Sequence, residues 1–259
     1  MTSIQLKNKQ GQFQHHCGGS VINENFIITA AHCVVNISLS KMQLVFGTTK
    51  LDMINEKRFV KQSYVHPMYH SDYFYYDLAL LELDNPLQFS PSISPVCIPT
   101  DPINDVDSRR QQAATWLGWG KIGPGKNVSA SSVLRQTLMK VFSQTFCNST
   151  RTINDQNGNP ISWSPYLPKL FQSDLICAGY EGGVSTSCPG DSGGPLVIFD
   201  SIRHCYTQIG VATGGHCGST KYHGAFTRLE DPQVLDFIYR YAFGRTIINI
   251  GMLKFYKII

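Results

Sequence analysis

Three short segments carry residue types that can act on one another. Ala30-Ala31-His32-Cys33 follows Cys17-Gly18-Gly19-Ser20, Tyr76-Asp77-Leu78-Ala79-Leu80-Leu81 comes next, and Cys188-Pro189-Gly190-Asp191-Ser192-Gly193-Gly194-Pro195 is last. A serine hydroxyl is a poor nucleophile at neutral pH. It needs a base to take its proton, and a buried carboxylate to fix that base's tautomer and stabilise its cation. His32, Asp77 and Ser192 supply these types in the order His, Asp, Ser. Glycines beside Ser192 let the backbone turn sharply and aim N–H groups at a developing oxyanion. Taken singly, each segment has an ordinary explanation: a partly buried histidine, a turn aspartate, a tight glycine turn. All three in order, beside cysteines, leave little room for coincidence.

Residues so far apart in sequence need a fold to gather them. Short apolar runs recur with turn residues between them: Phe26 to Thr29, Met42 to Phe46, Leu78 to Leu81, Val133 to Val141, Leu196 to Phe199 and Gln208 to Ala212. Most are too short for helices, rich in β-branched and aromatic residues, and bounded by Gly, Pro or Asn, so they read as strands. The fold class is therefore all-β, a sandwich or barrel. One long helix is expected near the C-terminus. Asp231-Pro232 starts it, Val234, Leu235, Phe237, Ile238 and Tyr241 form its apolar face, and Gly244 stops it. Residues 100–112 are polar and contain proline, as a linker between two β halves would. Residues 148–168 read as a long surface loop, and an apolar tail follows the helix.

The chain has 259 residues, a net charge of +4 and 15% charged residues, which fits a folded chain with a sizeable core and not a disordered one. Its positive residues are scattered, so no basic stripe points to nucleic acid. No run reaches the ~18 apolar residues of a membrane helix. The eight cysteines contain no tight C-x-x-C pair, so disulfides in an oxidising compartment are expected and a zinc site is not. Sequons at Asn36, Asn127 and Asn148 agree with a secreted chain, although Met1 to Lys7 has no apolar leader. No cofactor or metal is expected. Asp52 and Glu56 supply too few carboxylates between Gly47 and Arg58 for calcium, and His66, His70, His204, His216 and His223 read as surface or core residues.

These motifs resemble the trypsin/chymotrypsin-type serine proteases over about residues 3–244. The resemblance also rests on His15-His16-Cys17-Gly18-Gly19-Ser20, Pro95-Val96-Cys97-Ile98-Pro99, Gly118-Trp119-Gly120 and Gly224-Ala225-Phe226-Thr227-Arg228. It implies two six-stranded antiparallel β-barrels packed together with a C-terminal α-helix. On that reading 1–259 is one peptidase domain. It divides into an N-terminal barrel (1–99), a linker (100–112), a C-terminal barrel (113–230), the helix (231–244) and an atypical tail (245–259). By resemblance His32 is general base and then acid, Asp77 orients it, and Ser192 is the nucleophile. The N–H groups of Gly190 and Ser192 form the oxyanion hole, and Thr213, Gly214 and Gly215 pair with substrate backbone. The expected activity is hydrolysis of peptide bonds through an acyl-enzyme. Expected partners are a peptide or protein substrate, protease inhibitors and an upstream pro-segment, with no nucleic acid or membrane and a monomeric state.

The departures from the family sharpen these expectations. Thr186 stands at the base of the S1 pocket, where a trypsin-like enzyme carries Asp, and Gly215 and Gly224 bring no acid. An apolar or aromatic P1 residue is expected over a basic one. Gly214 stands where the family usually has Trp, and Pro189 at the pocket mouth is unusual. The resemblance pairs Cys17 with Cys33, Cys147 with Cys177 and Cys188 with Cys217. A further family bridge is lost at both ends, to Ala114 and Ile198. Cys97 and Cys205 either pair with each other, the favoured reading, or await a missing segment. The family's activating Ile-Val-Gly-Gly start, whose ammonium pairs with the Asp beside the nucleophile (here Asp191), does not precede Cys17. The expectation is an incomplete N-terminus, with His15 holding Asp191 in the meantime. Trp163 and Tyr166, in the lengthened loop between Cys147 and Cys177, are expected to restrict large substrates. The alternative is a non-catalytic, zymogen-like homologue that binds or regulates. An inert gene fragment is a third reading.

Overall fold

The computed structural model describes residues 1–103, 105, 107–109, 112–123, 127–149, 152–154, 160–162, 173–180, 187–215, 217 and 224–246. Thr186, Trp163, Tyr166, His216, His223 and residues 247–259 lie outside the described residues.

The first barrel is built from β1 (Thr2–Lys7), β2 (Phe13–Val21), β3 (Phe26–Thr29), β4 (Met42–Phe46), β5 (Glu56–Val65) and β6 (Ala79–Leu83). They close in the order β1-β2-β3-β6-β5-β4, every pair antiparallel. Closure removes the exposed edges that an open sheet of this composition would present. All five residues of β4 are buried. Met42, Leu44 and Phe46 enter the barrel core, and buried Gln43 is satisfied by donating its amide to Gln5 Oε1 at 2.7 Å.

The second half begins with β7 (Ala113–Gly118) and β8 (Arg135–Phe142), then a short helix α1 (Gln144–Ser149). A separate antiparallel hairpin, β9 (Thr152–Asn154) with β10 (Pro160–Ser162), interrupts what the sequence reads as one long loop. Next come β11 (Leu175–Gly179), β12 (Pro195–Asp200), β13 (Cys205–Gly214) and β14 (Gly224–Arg228). The second closed barrel runs β11-β14-β13-β12-β7-β8. Strand β8 starts later than the apolar run that announces it. Val133 makes only an isolated bridge to Lys50, and its N–H is taken by the Ser131 hydroxyl. The two six-stranded antiparallel barrels are those the resemblance implies.

The C-terminal helix α2 (Pro232–Phe243) shows why sequence marked it so clearly. The Asp231 side chain accepts from the N–H groups of Gln233 and Val234, and Pro232 occupies the first turn, where its missing N–H is harmless. Gly244 ends the helix at φ 62°, a left-handed conformation that glycine adopts without strain. Val234, Leu235, Phe237 and Ile238 bury against the first barrel. At about 2 kcal/mol each, that face and not helix propensity holds α2 in place.

Four disulfides brace this frame: Cys17–Cys33, Cys97–Cys205, Cys147–Cys177 and Cys188–Cys217, leaving no free cysteine. Cys97–Cys205 closes the longest loop, 108 residues, and ties the connection after the first barrel to β13. Ala114 and Ile198, the positions of the lost family bridge, are buried in the second barrel's core beside Trp116 and Phe226. Dispersion contacts take the place of the cross-link there.

Candidate active site

His32 sits in a single 3₁₀ turn, Ala31–Cys33, at the end of β3. Ala31 and Cys33 are buried on either side, and the Cys17–Cys33 bridge ties the turn back to β2. Asp77 lies two residues before β6 and is fully buried. Its Oδ1 accepts the His32 main-chain N–H at 2.8 Å, and its Oδ2 accepts Nδ1–H of the imidazole at 2.6 Å. A carboxylate can only accept, so the proton of a neutral His32 is on Nδ1 and its lone pair is on Nε2. The His32 side chain is 24% exposed, which opens the ring to the surface while Asp77 stays dry.

Two further groups on the second barrel hold Asp77. The Thr213 hydroxyl donates to Asp77 Oδ2, and the Thr227 hydroxyl donates to the Asp77 carbonyl at 3.0 Å. The sequence reading gave Thr213 only a substrate-edge role, because a hydroxyl so distant in sequence leaves no local sign of its partner. Phe74 is another addition. Its ring meets His32 edge-on, with centroids 5.5 Å apart and planes at 88°. The only sequence sign was the aromatic run Tyr73-Phe74-Tyr75-Tyr76 ahead of Asp77.

Ser192 lies on the turn leading into β12. The Gly18 N–H donates to the Ser192 carbonyl at 2.7 Å, which joins the Ser192 turn to β2 of the other barrel. Gly193, at φ 77°, is the glycine the turn cannot replace: a Cβ there would overlap Thr29 Oγ1 and the Gly18 carbonyl. Gly190 is also left-handed, at φ 98°. Neither the Gly190 nor the Ser192 N–H donates to a backbone carbonyl among the described residues. Among those residues no hydrogen bond joins Ser192 Oγ to His32, a contact that in such sites tightens when substrate binds.

Asp191 points away from the cleft. Its Oδ1 accepts the Gly120 N–H at 2.8 Å, and its Oδ2 accepts the Cys188 N–H at 3.0 Å. A Cβ on Gly118 or on Gly120 would overlap the carboxylate, so Gly118-Trp119-Gly120 is its cradle. Burial pushes the Asp191 carboxyl up to about 6. The expected His15–Asp191 contact is replaced by another arrangement. His15 Nε2–H donates to the Gly190 carbonyl at 2.8 Å, and Nδ1 accepts from the Ser3 hydroxyl at 2.8 Å. Both ring nitrogens are therefore occupied, and burial lowers the His15 pKa. His16, beside it, is also lowered, first by burial and then by His32.

Thr213 and Gly214, which with Gly215 are the expected substrate-edge residues, end β13, and Gly215 follows it. Thr213 is buried, Gly214 is half-buried and Gly215 is exposed, and a Cβ on Gly215 would overlap Ser187 Oγ. Gly224 opens β14 and is buried. Of the sequons, Asn36 and Asn127 are exposed, whereas Asn148 is half-buried in α1. A cavity of about 580 Å³, lined by Met1, Val21, Val96, Leu117, Val197 and Tyr206 among others, touches none of His32, Asp77 and Ser192. The one cluster of metal-ligating atoms among the described residues, Cys17, His32 and Cys33, contains a disulfide and so offers no thiolate.

With this geometry in hand, comparison with known proteins is specific. The sequence model of the family described as Trypsin matches residues 1–238. Serine proteinase stubble of Drosophila melanogaster is 32% identical over 232 residues, covering 86% of this chain and 27% of that protein. The clotting factor G beta subunit of Tachypleus tridentatus is 30% identical over 240 residues, covering 90% and 73%. Transmembrane protease serine 5 of Homo sapiens is 30% identical over 234 residues, covering 88% and 46%. The chain spans about a quarter of the length of the first curated relatives it matches. No helix among the described residues is long and apolar enough to cross a membrane.

Proposed function

Because the chain belongs to the trypsin family of serine proteases, we propose that it is a serine-type endopeptidase hydrolysing peptide bonds through His32, Asp77 and Ser192. One observation carries this reading: buried Asp77 takes both the main-chain N–H and Nδ1–H of His32, which leaves Nε2 as the base. As Ser192 Oγ attacks the scissile carbonyl carbon, Nε2 takes its proton. The imidazolium formed lies against Asp77, whose charge stabilises it. The N–H groups of Gly190 and Ser192 stabilise the oxyanion. His32 then gives its proton to the leaving amine as the C–N bond breaks, leaving an acyl-enzyme. Water, deprotonated by His32, attacks the acyl carbon, and the proton returns to Ser192 as the acid leaves.

Thr186 is uncharged, and Gly215 and Gly224 add no acid, which supports an apolar or aromatic P1 residue. Thr213, Gly214 and Gly215 would pair with substrate backbone. The partners are peptides or proteins and, as inhibitors, proteins that fill the same cleft. Four disulfides and the exposed sequons at Asn36 and Asn127 support an extracellular, glycosylated protein. The division into barrel, linker, barrel, helix and tail at residues 99, 112, 230 and 244 is proposed for the same domain. A zymogen-like binding protein is the second reading. Asp191 favours it: this buried carboxylate, beside the nucleophile, has no cation within 4.0 Å among the described residues.

A randomised peptide library tests the proposal. Cleavage after Phe, Tyr, Leu or Met, abolished in Ser192→Ala, is expected. Cleavage mainly after Arg or Lys would remove the P1 assignment. Tight binding without cleavage would favour the second reading.

A further inference from the structure

Asp174 is a fully buried carboxylate that the hydrolytic chemistry does not use. It lies just ahead of β11 on the second barrel, yet its Oδ2 accepts the main-chain N–H of Tyr76 at 2.6 Å, across 98 residues of sequence. Tyr76 immediately precedes Asp77. Among the described residues Asp174 Oδ1 has no hydrogen-bond partner, so the bond to Tyr76 is the carboxylate's one described hydrogen bond to another residue. Arg228, a cation whose charge acts on Asp174, directs its donors elsewhere: Nε to the Ser173 carbonyl at 2.6 Å and Nη1 to the Ile103 carbonyl at 2.7 Å. Its main-chain N–H donates to the Asp174 carbonyl at 2.7 Å. Arg228 thus fixes the backbone that carries Asp174 and leaves the carboxylate to Tyr76.

Tyr76 needs such a grip. Its φ is 47°, in the left-handed region that a bulky residue enters only when its surroundings enforce it. Its ring stacks on His66, with centroids 4.8 Å apart and planes at 8°. The His66 ring is pinned in turn by the Met68 N–H at 3.2 Å and the Gln233 carbonyl at 3.3 Å. The Tyr76 carbonyl then accepts the Leu78 N–H at 2.7 Å, so the chain doubles back tightly around Asp77.

We propose that Asp174 is a positioning residue for the proton relay: its carboxylate fixes the left-handed backbone of Tyr76 and so aims the Asp77 carboxylate at His32. Three groups of the second barrel then hold the aspartate of the first: Asp174 through Tyr76, Thr227 at the main-chain carbonyl and Thr213 at Oδ2. An uncompensated buried charge is expensive, and a neutral acceptor would be the cheaper choice for architecture alone. A charged acceptor makes the stronger bond to an N–H and so adds to the hold on a strained backbone, for which the acceptor itself is the essential part. Burial pushes the Asp174 carboxyl up to about 6, with Asp231 raising it further and Arg228 opposing. It is therefore ionised at pH 7.5, and protonation on acidification weakens the bond to the Tyr76 N–H while leaving an acceptor in place.

The inference rests on the relay reading, and its test separates the two. In the proton NMR spectrum of the wild-type chain, the Tyr76 amide should shift with a midpoint near pH 6, and the shift should vanish in Asp174→Asn. Asp231, Arg228, His66, Asp77 and the Tyr76 hydroxyl also face this region, and all are retained in that variant. The His32 Nδ1 proton should give a resonance far downfield, held by Asp77. Asp174→Ala should broaden or move it and lower kcat about 10-fold or more with KM within 2-fold. Asp174→Asn, which keeps an acceptor for the Tyr76 N–H, should restore most of both. If the alanine variant does not fold, Asp174→Ser, too short to reach that N–H, carries the same expectation. Glu230→Gln, which changes another buried carboxylate of the second barrel, should leave the His32 resonance in place. A Tyr76 amide that does not follow Asp174, or a folded Asp174→Ala whose His32 resonance and kcat are unchanged, overturns the assignment. Absence of any activity in the wild type, with the amide titration intact, would instead overturn only the catalytic reading.

Discussion

Replacing Asp191 by Asn should shift the stability balance in the variant's favour as pH rises from 4 toward neutrality. Asp191 is 6% exposed, and both of its oxygens accept backbone N–H groups. Burial nevertheless raises its carboxyl from 3.8 to about 6. A folded pKa above the unfolded one means that the native state binds the proton more tightly. The contribution to stability is then fully present below pH 3.8 and lost as pH rises through about 6. The shift of about two units corresponds to about 3 kcal/mol at pH 7.5. Asn carries no charge, so Asp191→Asn should avoid that loss; its amide can accept from only one of the Gly120 and Cys188 N–H groups, a cost that does not vary with pH. Urea unfolding of both proteins from pH 4 to pH 8, with disulfides intact, measures it. The difference between variant and wild type should move in the variant's favour by about 1.4 kcal/mol per unit from pH 4 toward pH 6, and level off about 3 kcal/mol above its value at pH 4. Burial lowers the pKa of His15, His16 and His66, which costs stability as pH falls, but these groups cancel in the difference. A difference that does not vary with pH, or one that moves in the wild type's favour as pH rises, would refute the reasoning.

Other consequences follow from the same contacts. Thr213→Val removes a hydroxyl from the buried Asp77 carboxylate, and kcat on a peptide ester should fall about 10-fold, the rate equivalent of about 1.4 kcal/mol, while Thr213→Ser stays near wild type. Gly120→Ala places a methyl group against the Asp191 carboxylate, and thermal unfolding should report a loss of about 1–3 kcal/mol. Gly123→Ala, with open space at that position, is the neutral control. Replacing both Cys97 and Cys205 by Ser opens a 108-residue loop, and denaturant unfolding should show a loss of about 2–4 kcal/mol. Deleting residues 154–166, which removes Trp163 and Tyr166, should speed cleavage of a folded protein substrate while leaving a short peptide unaffected.

The fold class was legible because its signals are local. Runs such as Phe26 to Thr29 alternate with turn residues, and α2 carries its own start and stop in Asp231, Pro232 and Gly244. The hairpin β9–β10 was not legible, because two three-residue strands have no period to detect. Motif spacing likewise selected His32, Asp77 and Ser192. It could not find Asp174, because its partner is a backbone N–H 98 residues away and no side-chain pattern records that. Nor could it place His15, whose ring nitrogens are set by Ser3 and the Gly190 carbonyl. Gly118-Trp119-Gly120 was visible as a motif. Its role as a cradle for Asp191 follows only from the space that the two absent side chains leave.

The central claim is that Ser192 is a nucleophile activated by His32 and Asp77. A fluorophosphonate probe with peptide mapping tests it most directly, on the chain itself and on a form with Ile-Val-Gly-Gly placed ahead of the first strand. The account predicts a single adduct on Ser192, lost in His32→Ala and strongly slowed in Asp77→Asn. No adduct on Ser192 in either form of the folded protein would contradict it.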